Sequence, residues 1–386
     1  MSSNIGEIAE RNRVGRYNAD SRRRSRHLTP SVLGVCFVMI FAWSLAVVLA
    51  PGVGASPHGA TLKVPSQYPT IQSAINAAHS GDTILVAPGT YTEQLTIDKS
   101  VNLVGAGATR TFLKDAGVPY LIVIGNAATV SFSGFSVTVT TPFADAILVF
   151  DGATAAIYGN TIRAAGTGDT GIEVSYYTLG PANAVITGNQ IIAATSPVDG
   201  LETGILVFGG AQATITFNSL MGPGFYGVDL EAGAVAVVEF NVVSEFSCTY
   251  NPGLVAEGLC GPSWASQVQL AGVLALNVGP GSTIAYNLVS STDVGVFLVG
   301  CPGCVVKGNT IVNSFDYGLG GFEGTYTFGP NTVIGGAYGV AAAAAAADTT
   351  VTLSHVLIVD PSVAPLYIES DFGYTATIGG TWTVIP

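Results

Sequence analysis

Short apolar segments separated by glycine, asparagine or proline recur along most of the chain. Within each segment apolar residues alternate with polar ones, which is the pattern of a half-buried β-strand. One repeated element has the pattern x-I-x-x-N-x-I, and the residues at its asparagine position are Asn160, Asn189, Asn218, Asn241, Asn287, Asn309, Asn331 and, in the last copy, Ser354. A second element, G-I-x-V, alternates with the first and contains Gly171, Gly204, Gly227, Gly272, Gly295, Gly318 and Gly339.

This repetition predicts a solenoid of parallel strands. Copies without an insertion are 22 or 23 residues apart, and no helix-length pattern lies between their short strands. Parallel strands need crossover connections, and a coil that stacks each strand on its equivalent in the next turn supplies them. We therefore predict an all-β solenoid of about ten coils with three apolar columns inside. Two columns run from Ile157 to Val351 and from Ile162 to Val356, and the third consists of the apolar residues that follow the repeated glycines.

Asparagine and glycine are expected at the bends between the columns. Asparagine tolerates the left-handed backbone conformation, and its amide can bond to the equivalent amide one coil away. We therefore assign Asn160 through Asn331 to a buried scaffold ladder and not to catalysis. Glycine at the other bend would permit positive φ.

The first part of the repeat region carries two further signals. Residues 68–78 read YPTIQSAINAA, in which Thr70 can cap a short helix with Ile71, Ala74 and Ile75 on its apolar face. Residues 81–93 follow and end in GTYTE. With the period and the asparagine ladder, these segments resemble the right-handed parallel β-helix proteins of the pectin-lyase-like superfamily over nearly all of residues 61–386. The resemblance implies a right-handed coil, closed at its N-terminal end by the capping helix.

The resemblance does not extend to catalytic motifs. Residues 89–93 look like the G-x-Y-x-E motif of pectin methylesterases, but the aspartate and arginine motifs of those enzymes are absent from the sequence. The N-T-D, D-D and G-H-G motifs of polygalacturonases are absent as well, and so are the catalytic arginine and calcium-binding aspartates of pectate lyases. We therefore interpret Gly89 to Glu93 as structural.

The first 60 residues differ in composition from the rest. Residues 1–30 form a basic region with seven arginines, and residues 31–55 contain the apolar run VLGVCFVMIFAWSLAVVLA. This pattern is typical of a signal peptide or, if it is not cleaved, of a membrane anchor through residues 31–50. A linker, residues 56–60, leads to the β-helix domain, residues 61–386. Both alternatives predict a domain that is secreted or held at the cell surface.

Four cysteines in this domain suit an oxidising compartment. Proximity along the chain pairs Cys248 with Cys260 and Cys301 with Cys304. The C-P-G-C spacing also fits a redox motif or half a zinc site, but no predicted helix follows it and no second pair exists. We predict two structural disulfides, no metal site and no cofactor.

The domain is strongly acidic, which limits its partners. Residues 61–386 contain six lysines and arginines against 22 aspartates and glutamates, a net charge of about −16. Such a charge repels nucleic-acid phosphates, and it disfavours acidic polysaccharides unless a cation bridges the two. We expect a polysaccharide or cell-surface partner and no nucleic acid.

Three carboxylates occupy outward positions of the G-I strands. Glu173 and Asp229 are two coils apart, roughly 9–10 Å at a strand spacing of ~4.8 Å, and the Cα atoms of Asp229 and Glu231 are roughly 6.5–7 Å apart on one strand. Inverting glycosidases hold their two carboxyl groups ~6.5–9.5 Å apart. These residues are candidate catalytic groups; alternatively, they are solvated charges that keep an apolar sheet soluble.

Aromatic residues provide candidate ligand contacts on the same strands. Phe208, Phe297 and Phe322 face outward, and Trp264 lies in a long insertion, residues 244–271. Sugar rings stack on such aromatic faces, although the phenylalanines could instead pack under the insertion. The loops 163–170, 192–203 and 244–271 all precede G-I strands and are predicted to form one wall of a groove.

We therefore predict an exported, non-catalytic β-helix protein that binds glycan or a surface partner along the outer face of the G-I strands. The alternatives are a polysaccharide hydrolase or lyase that uses the groove carboxylates, and a purely structural surface rod.

Overall fold

The computed structural model describes residues 59–115, 117–166, 168–193, 203–250, 255–256, 258, 260–263 and 267–386. The predicted basic region, signal peptide or anchor, and most of the linker lie outside the described residues. Within them the chain forms a right-handed parallel β-helix of about 12 turns, so the fold prediction is confirmed and the predicted coil number of about ten is too low. The first coils, which carry strands such as Thr61–Val64 and Thr83–Val86, lack the ladder asparagine.

Each coil contributes one strand to each of three faces. Face 1, built from the G-I strands, comprises Leu95–Ile97, Tyr120–Ile124, Asp145–Val149, Thr170–Tyr177, Thr203–Phe208, Tyr226–Glu231, Ala271–Leu276, Val294–Val299, Tyr317–Phe322, Tyr338–Ala344 and Ala364–Ser370. Face 2 comprises Thr61–Val64, Thr83–Val86, Asn102–Gly105, Thr129–Ser133, Thr154–Tyr158, Asn183–Thr187, Gln212–Thr216, Val235–Glu239, Thr283–Ala285, Val305–Lys307 and Thr325–Phe328.

Face 3 lies between face 2 and face 1 in chain order. It comprises Gly89–Thr92, Thr111–Lys114, Ser136–Val139, Thr161–Ala164, Gln190–Ala193, Ser219–Met221, Val242–Ser244, Leu288–Ser290, Thr310–Val312 and Thr332–Ile334. The long strands Thr349–Val359 and Ala376–Ile385 run through faces 2 and 3 together. The two remaining short elements are the strand Gly180–Pro181 and the 3₁₀ turn Cys248–Tyr250.

The three apolar columns form the core inside the coil. On face 1 the residues after the repeated glycines pair in register from coil to coil and are fully buried, as predicted, from Ile122 through Val340. The other two columns also follow the prediction except in their last members. Leu353, and not Val351, pairs with Phe328, while Ile358, and not Val356, pairs with Val333. The alternating sequence of this last strand fits equally well after a shift of two residues, because such a shift keeps the same side chains inside.

The asparagine ladder is confirmed from Asn160 to Asn331. Each ladder asparagine except the last donates from Nδ2 to the side-chain oxygen of the next one, over 3.0–3.1 Å. The same oxygens also accept backbone N–H groups, so the buried turn is well supplied with hydrogen bonds. Because of the register shift, Val356 follows Asn331 in the column, so the alignment of Ser354 with the asparagine position of the last copy is wrong.

The two bends use backbone freedom differently from what the sequence suggested. The ladder asparagines do not adopt the left-handed conformation; in six of the seven coils the residue just before them does, for example Gly188 at φ 63° and Phe217 at φ 55°. The G-I glycines are not left-handed either. A Cβ atom on Gly204 would lie 2.6 Å from the carbonyl oxygen of Gly227, so glycine is required there because neighbouring coils approach closely.

A helix closes the N-terminal end of the coil, as the resemblance implies. It spans Ile71–Ala77, and Thr70 and Ser73 form a reciprocal capping box at its start. Its buried face packs against the strands Thr61–Val64, Thr83–Val86 and Leu95–Ile97. The carboxylate of Glu93 accepts hydrogen bonds from the first helical amides, those of Ile71 and Gln72, at 2.9 and 3.0 Å. The structural interpretation of the GTYTE segment is thus confirmed, because its last residue, Glu93, binds the first amides of this helix.

Candidate functional site

The outer surface of face 1 carries the predicted site residues in two columns. One column runs Glu173, Leu206, Asp229, Leu274, Phe297, with each residue paired in register to the next. The other runs Ser175, Phe208, Glu231, Leu276, Val299, Phe322. The structure therefore brings the three carboxylates and Phe208 onto one patch that spans three consecutive coils.

The carboxylates of this patch are shielded from solvent. Asp229 and Glu231 lie on the strand Tyr226–Glu231 and are each only 6% exposed. Glu173 is half-buried on Thr170–Tyr177, with the strand Thr203–Phe208 between it and Asp229. The sequence-based alternative of solvated charges on a soluble sheet does not fit two buried acids, since burial of a carboxylate is unfavourable without compensation.

The long insertion lies between the strands Val242–Ser244 and Ala271–Leu276, and the second of these is the face 1 neighbour of Tyr226–Glu231. The start of the insertion is fixed by Asp293, which accepts hydrogen bonds from Ser247 Oγ at 2.6 Å and from Cys248 N at 2.9 Å. The predicted disulfide Cys248–Cys260 ties its start to its end. The second predicted disulfide, Cys301–Cys304, is also present and closes a turn after the next coil's face 1 strand.

The tip of the insertion reaches the last coils of face 1. Pro262 accepts a hydrogen bond through its carbonyl from the Tyr317 hydroxyl at 3.1 Å, and Ser263 Oγ donates to Glu369 at 2.8 Å. This part of the insertion therefore contacts coils beyond its own.

The predicted aromatic residues separate into two environments. Phe208 is half-buried next to the carboxylates. Phe297 and Phe322 contact each other edge to face at 5.0 Å and belong to a buried outer cluster that includes Leu274 and Tyr317. Their burial favours the packing alternative that the sequence left open. Trp264 lies outside the described residues.

A hairpin that the sequence analysis missed lies at the opposite side of face 1. The strand Thr170–Tyr177 continues beyond the face and pairs antiparallel with Gly180–Pro181. Asp151 of the preceding coil holds the hairpin by accepting from the Thr178 hydroxyl, and the exposed Tyr176 lies close to Gly209 of the following coil. The signal was present in the spacing: 17 residues separate Ile172 from Asn189, where other coils have 12 to 14.

A second pair of acids, Asp293 and Asp316, lies buried at the bend that leads into face 1. Burial raises the pKa of Asp293 to about 6, although hydrogen bonds from Ser247 and Cys248 favour its charged form. Burial, together with the neighbouring Asp293, raises the pKa of Asp316 to about 8. The Asp293 side chain binds the start of the insertion, so this buried acidic pair helps to fix where the insertion begins.

Among the described residues, no group of three or more histidine, cysteine, aspartate or glutamate side chains is arranged to hold a metal ion. In the same part of the chain, no helix has the length and apolar character needed to cross a bilayer.

Comparison with protein families matches two overlapping segments, residues 120–263 and 199–376, to the family described as the right handed beta helix region. Together they cover more than half of the chain. The chain belongs to this family. A comparison with curated proteins finds no match for this right-handed β-helix protein.

Solved structures with the same fold include polysaccharide-degrading enzymes. The catalytic domain of Agl-KA has a TM-score of 0.60 and 13% identity, covering 86% of this chain and 69% of that one. The catalytic unit of a GH87 α-1,3-glucanase from Streptomyces thermodiastaticus has a TM-score of 0.53 and 15% identity, covering 86% of this chain and 70% of that one. At these identities the similarity establishes the fold of this β-helix protein.

Proposed function

We propose that this right-handed β-helix protein is an exported enzyme that binds a neutral polysaccharide across face 1 and hydrolyses it with Asp229 and Glu231. The observation that carries the proposal is the pair of buried carboxylates on an outward strand position, with Glu173 and Phe208 on the same patch. Buried acids are typical of catalytic sites, because burial shifts the pKa of a carboxyl group toward the value that acid–base catalysis requires.

The charge of the domain favours a neutral substrate. The sequence between Arg163 and Lys307 contains no lysine or arginine, so the coils that form the patch have no basic side chain to bind a uronate. Eliminating lyases of acidic polysaccharides also stabilise the substrate carboxylate, often with an arginine, and these coils contain no arginine. Hydrolysis of a neutral glycan needs two carboxyl groups and water.

The proposed reaction is a single displacement by water. Asp229 and Glu231 are alternate residues of one strand, with Cα atoms roughly 6.5–7 Å apart, and a single displacement needs carboxyl groups ~6.5–9.5 Å apart so that a water molecule fits beside the sugar. One carboxyl would donate its proton to the glycosidic oxygen as the C–O bond breaks. The other would take a proton from the water that attacks the anomeric carbon from the opposite side. Phe208 would contact the apolar face of a neighbouring sugar unit.

The wider context supports this proposal. The two solved structures above are a catalytic domain and an α-1,3-glucanase, so a glucan is a reasonable first substrate to test. Two disulfides suit an exported protein, since such bonds persist in oxidising compartments.

The test measures retention and product release separately. The full chain is incubated with insoluble α-1,3-glucan, cellulose, starch and chitin, with polygalacturonate as the acidic comparison. We expect retention on a neutral polysaccharide and release of reducing ends from it. Asp229→Asn and Glu231→Gln should each reduce release at least 100-fold while retention is kept. Asp151→Asn, at the base of the hairpin, is the matched control and should release sugars normally.

Two results would contradict the proposal. Retention without release by the parent protein would support the non-catalytic binding protein predicted from the sequence. Release that survives both carboxylate substitutions would place the catalytic groups elsewhere.

A further inference from the structure

Three aromatic rings form an exposed column at the bend between faces 2 and 3, away from the candidate site on face 1. Phe217, Phe240 and Tyr286 directly precede the ladder residues of three consecutive coils. Their neighbouring rings are nearly parallel, with centroids 5.2 Å apart in both pairs. The exposed fractions are 64%, 45% and 47%, respectively. We call these three residues the aromatic column.

The backbone at these positions favours glycine. Phe217, Phe240 and Tyr286 have φ values of 55°, 57° and 56°, in the left-handed region that bulky residues rarely adopt. In the adjoining coils the same position holds Gly188 and Gly308, with φ values of 63° and 68°. Left-handed geometry is unfavourable for a residue that carries a Cβ atom. The positive φ of these three residues is therefore unfavourable for folding, and because the rings are largely exposed, their burial does not fully offset this cost.

The two ends of the column differ. Tyr286 leans over Gly308, where an added Cβ atom would lie only 2.4 Å from the tyrosine ring. At the other end, an added Cβ atom on Gly188 or Gly159 would have nothing within 4 Å. The ring of Phe217 thus borders two successive glycine turns that carry no side chain. This arrangement places an aromatic ring beside two turns that have open space where a side chain would be, and we call these turns the glycine shelf.

The side chains that border the shelf directly are polar and uncharged. Tyr158 and Thr187 border it on face 2, and Thr161 and Gln190 border it on face 3. The charged side chains nearby have opposite signs: Glu239 lies one residue before Phe240, and the exposed Arg163 lies two residues after Thr161, so neither an anionic nor a cationic partner is favoured. An aromatic face flanked by hydroxyl and amide groups matches a pyranose ring, which has an apolar face and a rim of hydroxyls.

We propose that the aromatic column and its glycine shelf form a second binding surface for a neutral glycan, separate from face 1. In combination with the proposed function, it would hold an insoluble polysaccharide while face 1 acts on a chain of it. Phe217 provides the stacking face, and Phe240 and Tyr286 support that ring from behind.

The decisive variant is Phe217→Gly in the full chain. It removes the stacking face but installs the residue that neighbouring coils use at this φ, so the variant should fold at least as well as the parent. Phe372→Gly is the matched control, because Phe372 is also exposed and left-handed, with φ 53°, but lies in the turn after the last face 1 strand. Depletion from solution by α-1,3-glucan, cellulose, starch and chitin measures binding.

We expect Phe217→Gly to weaken retention on the retained neutral polysaccharide about five- to tenfold. Phe372→Gly should bind as the parent does, and hydrolysis of short soluble oligosaccharides should be unchanged in both variants. Unchanged retention in Phe217→Gly, or no retention of the parent on any neutral polysaccharide, would overturn this second surface. So would a loss in Phe217→Gly of self-association or of binding to phosphatidylcholine vesicles, since either would identify a different occupant. Asp229→Asn tests the proposed function independently, because it affects release and not retention.

Discussion

The asparagine ladder allows a quantitative test of what holds the coils together. Replacement of Asn218 by leucine keeps the side chain at a similar size but removes its hydrogen bonds. Asn218 Oδ1 accepts from Asn189 N at 3.0 Å, and Asn218 Nδ2 donates to the carbonyl of Ile186 at 2.8 Å. Both of these backbone groups lie inside the bend and lose these partners in the variant.

Other members of the ladder keep part of their bonding. Asn189 Nδ2 still donates to the carbonyls of Ile157 and Thr187, and Asn241 Oδ1 still accepts from the backbone of residue 218. Two buried groups are therefore left without these bonds, each at a cost of about 1–3 kcal/mol. Since leucine returns some burial of apolar surface, we expect Asn218→Leu to lower the free energy of unfolding by about 2–4 kcal/mol.

Chemical denaturation and hydrogen exchange of the Asn189 amide measure this effect. Asn183→Leu is the matched control, because Asn183 is an exposed asparagine on the strand leading to the same bend, and its replacement should change stability by less than ~0.5 kcal/mol. Exchange at Asn189 should accelerate only in the Asn218 variant. Equal denaturation midpoints for the two variants, with unchanged exchange, would refute the view that the ladder stabilises the coil.

Two further predictions concern the acidic bend and the outer cluster. Because the pKa of Asp316 is raised to about 8, its neutral form contributes stability that is lost as pH rises from about 4 through 8. In denaturant titrations between pH 5 and 9, Asp316→Asn should reduce this loss of unfolding free energy by at least ~1.4 kcal/mol. If the variant and the parent lose the same unfolding free energy over this range, Asp316 is not neutral in the folded protein. Phe297→Ala should lower the free energy of unfolding by about 3–5 kcal/mol, as for a core aromatic residue. Phe208 is half-buried, so Phe208→Ala should lower it by less, but should weaken retention on glycan. Calorimetry that finds Phe208→Ala the less stable variant, or depletion assays that find only Phe297→Ala weakened in retention, would contradict this assignment.

Periodic positions were predictable from the sequence because the coil repeats the same environment every turn. Spacing alone identified the neighbours of Asn160 through Asn331 and of the G-I column, because these residues occupy equivalent positions in successive coils. It also identified the cysteine pairs, whose members are near each other along the chain. The same regularity made the register of the last coil ambiguous, because a shift of two residues preserves the alternation. The sequence therefore predicted Val351 at the position that Leu353 occupies in the structure.

Strand alternation also identified Glu173, Asp229 and Glu231 as outward residues that share one patch. Alternation states which side of a sheet a residue faces, but not what lies above that side. Only the tertiary structure shows that Asp229 and Glu231 are buried, that Phe297 and Phe322 pack in an outer cluster, and that the tip of the insertion reaches Tyr317 and Glu369.

The bends were the least predictable part, since they depend on contacts between coils. The sequence indicated glycine and asparagine there, but the left-handed residue proved to be the one before each ladder asparagine. The G-I glycines are required by the approach of carbonyl groups from the next coil, a distance that no single repeat contains. The exposed column of Phe217, Phe240 and Tyr286 arises in the same way: three residues 23 and 46 positions apart become neighbours only when the coils stack.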